Sequence, residues 1–195
     1  MSKIKHLKTI SEFHRTRGLS QPKHPLISVV NYADIKLLPK YINASWMFDF
    51  YSIALKRNLN GKINYGQKEY DFEEGVLFFI SPGQVFSIDP KVITSNEKSG
   101  WIMLVHPDFL WNTTLAKEIK QYEYFGYAVN EALFLSKKEE NTVAGIIKNI
   151  QQEYHSNIDK FSQQIIVSQL LSLLNYAERF YQRNLLQETL ITIKY

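Results

Sequence analysis

Between residues 26 and 105 the apolar side chains come in short runs rather than at helical spacing. Residues 26–30, 50–55, 62–65, 76–80, 85–88 and 101–105 are rich in β-branched and aromatic types, which suit a pleated, half-buried surface. Turn-forming clusters separate them: Asn58-Leu-Asn60-Gly61, Gly66-Gln67, Glu73-Glu74-Gly75, Pro82-Gly83, Asp89-Pro90 and Ser99-Gly100. Short strands at this spacing predict an antiparallel sandwich or barrel.

After Pro107 the period changes. Residues 108–122 can form a helix, and Ser136-Lys-Lys-Glu139 has the form of a capping box, in which serine and glutamate satisfy each other's backbone N–H groups. Val143, Ile146, Ile147, Ile150 and Tyr154 then follow at helical spacing, and a second, longer helix is predicted over 160–183. That helix carries two adjacent apolar stripes. One is Ile166, Leu170, Leu173, Ala177 and Phe180; the other is Val167, Leu171, Leu174 and Tyr181, interrupted by Glu178. So wide an arc either wedges the helix between two neighbours or turns one stripe toward a second subunit. The expectation taken here is a homodimer through Ile166, Val167, Leu170, Leu171 and Leu174.

Composition narrows the class. With 195 residues, 45% hydrophobic content, 12 Phe, 12 Tyr and 3 Trp, the chain can build one substantial core. It has no cysteine, which excludes disulfides and thiolate metal sites, and the basic start Met1-Ser-Lys-Ile-Lys-His6 lacks the apolar stretch of a signal peptide. A cytoplasmic protein without a membrane span is expected. The net charge of +4 is concentrated: residues 1–24 hold six basic side chains against Glu12, leaving the remainder at −1. The basic balance therefore belongs to an N-terminal arm, expected to be solvated, rather than to a nucleic-acid-binding face.

The segment Gly75-Val-Leu-Phe-Phe-Ile-Ser-Pro-Gly-Gln-Val-Phe86 reads as strand, tight turn, strand. It resembles the Gly-strand-Pro-Gly pattern of cupin-type barrels, where a metal-binding histidine follows the second glycine by three residues; here that residue is Phe86. The cupin histidine pair, two residues apart on one strand, aligns with Trp46 and Phe48, just before Asp49-Phe50-Tyr51. Rings without a ligating atom stand at all three positions, so no metal and no other cofactor is expected. No nucleophile elbow, P-loop or dinucleotide-binding glycine pattern is present, and no catalytic residue is assigned. His106, before Pro107, is the histidine nearest a barrel mouth. The remaining chemistry is a possible pocket for an unidentified small effector. Trp46, Phe48, Phe86 and Trp101 are expected to offer ring faces, Arg57 a fixed charge on the parity of Tyr51, Ile53 and Leu55, and Tyr65 a hydroxyl. The alternative is that the rings simply fill the barrel.

Asp49-Phe-Tyr-Ser-Ile53, Phe78-Phe-Ile-Ser-Pro-Gly-Gln-Val85, Gly100-Trp101, His106-Pro-Asp-Phe-Leu110 and Asn175-Tyr-Ala-Glu-Arg-Phe-Tyr-Gln182 together resemble the N-terminal sensory domain of AraC-type transcription regulators. The resemblance implies an α+β fold: a cupin-like β-barrel (double-stranded β-helix, or jelly roll) over 26–106, then a helical segment with dimerisation helices over 107–184. Residues 1–25 would be the basic arm covering the barrel, and 185–195 a tail or linker. It further implies an effector-sensing, non-enzymatic module. Regulators of this type continue into helix-turn-helix units, for which the residues up to Tyr195 leave no room, so this chain alone is not expected to bind specific DNA. The alternative function is a free-standing, metal-independent cupin isomerase or epimerase.

Overall fold

The computed structural model describes residues 4–36, 38, 41, 44–57, 64–65, 68–69, 75–87, 99–125, 132–156 and 159–192, with side chains described outside 64–69 and 185–192. Its centre is the strand Tyr51–Arg57 (β4), which pairs antiparallel with Val76–Ile80 (β7) on one side and Ser99–Val105 (β9) on the other. Ile27–Asn31 (β2) and Leu133–Phe134 (β10) complete a five-stranded sheet in the order β10-β7-β4-β9-β2. Gly100 is required at its crossing. Its φ is 120°, and a Cβ there would stand 1.9 Å from the Leu55 carbonyl oxygen.

A second sheet has three strands in the order β1-β3-β8: Lys5–Leu7 (β1), Ser45–Phe48 (β3) and Val85–Ser87 (β8). β1 runs parallel to β3, with Lys5 opposite Trp46 and Leu7 opposite Phe48. The chain passes from β7 to β8, and so from the large sheet to the small one, through Ser81-Pro-Gly-Gln84. Gly83 takes φ 80° there, and its N–H donates to the Phe48 carbonyl at 2.7 Å. Asn64–Tyr65 (β5) and Lys68–Glu69 (β6) form a separate two-stranded ribbon.

The alternation of β4 sorts the molecule into two cores. Tyr51, Ile53 and Leu55 face a helical layer, where they join Val143, Ile147, Ile150 and Tyr154 of Lys137–His155 (α3) and Ile166, Leu170, Leu173, Leu174 and Ala177 of Ser162–Thr192 (α4). Ala54 faces the other way, into a cluster with Leu7, Trp46, Phe48 and Phe50 from the small sheet and its turns. The capping glutamate expected at the start of α3 is in place: Glu139 accepts from the N–H of Ser136 at 2.8 Å. Polar contacts to backbone carbonyls tie the helices down. Tyr124 donates its hydroxyl to the Leu174 carbonyl at 2.8 Å, and Gln163 donates to the Phe109 carbonyl at 2.6 Å.

Four expectations are corrected here. Residues 1–25 do not act as a solvated arm over their described part: β1 belongs to a sheet, and Ile10–Thr16 (α1) buries Ile10 and Phe13. The apolar positions Leu7, Ile10 and Phe13 outweigh the flanking charges, because burying each contributes roughly 1.5–3 kcal/mol. Thr9 caps α1, accepting from the Glu12 N–H at 3.2 Å. The single helix expected over 108–122 is instead a 3-10 turn Pro107–Leu110, a short helix Leu115–Glu118 (α2) and a further 3-10 turn, broken where Asn112 adopts φ 63°. The expected end near 183 is also early, since α4 continues to Thr192. Finally, among the described residues the two sheets remain open rather than closing into one barrel. No helix among the described residues is long and apolar enough to cross a membrane.

Candidate ligand site in the inter-sheet core

The core between the two sheets is mostly rings. Phe48 stacks on Phe50 with centroids 4.9 Å apart, and meets Phe86 and Phe13 edge-on at 4.9 and 5.8 Å. Trp46 lies opposite Phe86 in the β3–β8 register and takes Tyr41 edge-on at 5.3 Å. The three positions aligned with cupin metal ligands are thus neighbours, and Trp46 and Phe48 are 1% and 2% exposed. Their rings occupy the positions that ligating imidazoles would take, and none of the three offers a metal-ligating atom. Among the described residues no cluster of three or more His, Asp or Glu could hold a metal ion.

Two cations enter this apolar layer. Arg17, 3% exposed, follows α1 and lays its guanidinium 4.1 Å from the Trp46 ring centroid and 5.5 Å from that of Phe13. Its backbone is pinned: its N–H donates to the Phe13 carbonyl at 3.0 Å, and its carbonyl accepts from the Lys36 N–H at 3.0 Å. Among the described residues its buried Nη1 has no hydrogen-bond partner. Lys56, half-buried near the end of β4, places its ammonium 4.7 Å from the Phe78 ring centroid and 5.0 Å from that of Tyr32. No carboxylate among the described residues pairs with either side chain.

The electrostatics follow from that placement. Desolvation lowers Arg17 to about 10, against the partial compensation of the Tyr41 and Tyr32 hydroxyls. Desolvation, and then repulsion from Arg17, lowers Lys56 to about 8. A cation over a ring gains up to about 2 kcal/mol when desolvated, whereas burying an ion costs several. Ring contact alone does not offset the burial of two like charges.

His14 holds the same segment in place. Its Nδ1–H donates to the Ser20 carbonyl at 2.5 Å while its Nε2 accepts from the Ser28 hydroxyl at 2.8 Å. Burial lowers its pKa and so favours this neutral form, while the Ser20 contact partly opposes the shift. Ser28 lies on β2, so α1 and the residues leading to Arg17 are fastened to the large sheet.

The other expected pocket residues lie elsewhere. Arg57 and Trp101 are on the helical side of the large sheet, where the guanidinium packs 4.9 Å from the Trp101 ring and its Nε donates to Glu140 of α3. Glu140 is fully buried and also accepts from Lys137 at 3.3 Å. Burial would raise its carboxyl, but the contacts from Arg57 and Lys137 prevail and hold it low. Arg57 is therefore a clamp between sheet and helix: it shares the face of Tyr51, Ile53 and Leu55 as expected, and that face is the helical one, away from Trp46, Phe48 and Phe86. Tyr65 lies in β5, with its side chain outside the described ones. His106 accepts from the Asp108 N–H at 3.2 Å and caps the following 3-10 turn.

The expected dimer stripe is also redirected. Ile166, Val167, Leu170 and Leu174 are 9% exposed or less within a single chain, and Leu171 is half-buried against the same core. Among the described residues, the large apolar side chains that α4 and its start leave exposed are Phe161 just before it, Ile165 and Tyr176, at 52%, 44% and 36% exposure.

Sequence reasoning missed Arg17 and Lys56. The signal for Lys56 was its alternation with Ser52 and Ala54, small residues opposite the large rings of β3. For Arg17 the Thr9-Ile-Ser-Glu12 capping box pointed to an ordered segment, but nothing local showed which way its side chain would turn.

Compared with protein-family models and with curated protein sequences, the chain gives no match.

Proposed function

We propose that the chain is the effector-sensing and pairing part of a transcription regulator of the AraC type, a non-catalytic cupin-like domain that takes a small molecule between its sheets. The observation that carries this reading is the buried Arg17 guanidinium, seated on Trp46 with one nitrogen unsatisfied inside an otherwise aromatic layer. Such a group weakens the free fold, and ligand sites are where proteins retain costs of this kind. The sequence resemblance supplies the regulatory context. Pairing of two copies belongs to the same reading, and the surface free for it is the outward side carrying Phe161, Ile165 and Tyr176.

A metabolite screen by thermal unfolding tests the proposal, because a ligand at 100 times its Kd stabilises the fold by about 2.7 kcal/mol. A sensor holds its ligand unchanged over hours in one-dimensional NMR. Conversion of the bound compound identifies the alternative, a metal-independent isomerase or epimerase.

A further inference from the structure

We infer that the ligand of the inter-sheet core is an organic anion, its carboxylate or equivalent acidic group held between the Arg17 guanidinium and the Lys56 ammonium and its apolar body set against Trp46, Tyr32 and Phe78. This rests on the small-molecule reading above and names the ligand's chemistry.

Among the described residues this layer lacks a counter-charge for its cations. Two cations reach one ring cluster from different elements: Arg17, after α1, lies over Phe13 and Trp46, and Lys56 of β4 lies over Tyr32, all three rings belonging to the same buried core, and over Phe78 packed against it. Arg57 and Arg183, by contrast, each meet an acid: Glu140 and Glu139 respectively. Arg17 and Lys56 have rings in that role, and Arg17 keeps a buried Nη1 with nothing to donate to.

A guanidinium offers a planar fork of donors that matches a carboxylate or phosphate, and an ammonium adds a point charge on a flexible stem. An anion between them would supply the absent acceptor and relieve the repulsion. A neutral ligand of the same shape would do neither. Positively charged ligands are excluded by the same two groups.

The opposite signs of two effects make this testable. A lysine held for structural reasons stabilises the free protein, whereas one held for an anion destabilises it until the anion arrives. Benzoate and octanoate, each against its amide, serve as probes in calorimetric and thermal-shift titrations of the wild-type chain, Lys56→Met, Arg17→Met and the surface control Lys36→Met. The expected result is a carboxylate preference of about tenfold or more in the wild type and in Lys36→Met, removed in Lys56→Met and Arg17→Met. Unliganded Lys56→Met should also melt above the wild type.

If Arg17→Met fails to fold, Lys56→Met decides the matter alone. Equal binding of amide and carboxylate, or a preference that survives Lys56→Met, overturns the anion assignment while leaving a small-molecule site standing. A lower melting temperature for unliganded Lys56→Met also overturns it, because the lysine is then structural. Absence of binding by all four probes at millimolar concentration overturns the anion assignment, and the metabolite screen then decides the small-molecule reading beneath it.

Discussion

Lys56 and Arg57 are adjacent in sequence and reach opposite sides of one sheet. Lys56 lies over Tyr32 and Phe78 between the sheets, while Arg57 lies over Trp101 and donates to Glu140 beneath the helices. The two-residue period of a strand imposes this separation. The consequences differ as much as the directions: Arg57 has a buried carboxylate to meet it, and Lys56 has only rings. One cation of the pair fastens the fold, and the other opposes it.

Arg57→Met should therefore be destabilising. Removing one partner of a buried ion pair typically costs 3–5 kcal/mol, and Lys137 remains to share Glu140, so about 2–3 kcal/mol is expected. Urea unfolding measures it. The double variant Arg57→Met, Glu140→Leu should recover most of the loss, since no uncompensated charge is then left inside.

Lys56 makes stability depend on pH in the alkaline range. Below pH 8 its ammonium is charged in both folded and unfolded chains, and the full burial cost is present. Between about 8 and its ordinary value of 10.5 the unfolded chain holds the proton and the folded chain does not, so stability rises with pH, by at most about 1.4 kcal/mol per pH unit. Facing it are Arg17, which stays charged until about pH 10, and Tyr32, whose hydroxyl burial holds neutral to higher pH. Above pH 10 the buried tyrosines reverse the trend, because the unfolded chain ionises them first. Chemical unfolding at pH 7.5 to 9.5 should show the rise in the wild type and a flatter profile in Lys56→Met.

The N-terminal segment is part of the fold and should behave so. Phe13, 3% exposed and edge-on to Phe48 and Phe50, should cost about 3–5 kcal/mol when cut to alanine. Limited proteolysis checks the same point. Cleavage within residues 5–17 should be as slow as in α3 for the wild type and become fast in Phe13→Ala.

Gly100→Ala should abolish folding rather than merely weaken it. The added Cβ would meet the Leu55 backbone oxygen at 1.9 Å, and the φ of 120° is one that L side chains rarely adopt. Far-ultraviolet circular dichroism of the purified variant would show loss of native structure.

Two faces of α4 should respond differently to charge. Leu170→Asp or Leu174→Asp should unfold the chain, because both side chains are completely buried within it. Ile165→Glu should leave the melting temperature nearly unchanged and, if two copies pair through the outward face, shift sedimentation toward the monomer.

Much of the element sequence was legible before the structure, though not β1, β10 or the broken run after Pro107. The β-run to helix change near Pro107, the Pro82-Gly83 turn, the β7 bounds, the Ser136 capping pair and the two long helices all rest on local period and turn chemistry, which short stretches of chain express by themselves. The proximity of Trp46, Phe48 and Phe86 was legible too, through their alignment with a known pattern. What only the tertiary structure decided is which side of each strand faces which layer. Both sides of β4 are apolar, because the large sheet is covered on both faces, so alternation put Lys56 and Arg57 on opposite sides without saying which side faces the small sheet. Nor could composition show that the basic N-terminal segment contributes a strand, a helix and a buried guanidinium. Those side chains acquire their meaning from partners that are distant in sequence: Glu140 for Arg57, the stacked rings for Arg17, and no carboxylate among the described residues for Lys56.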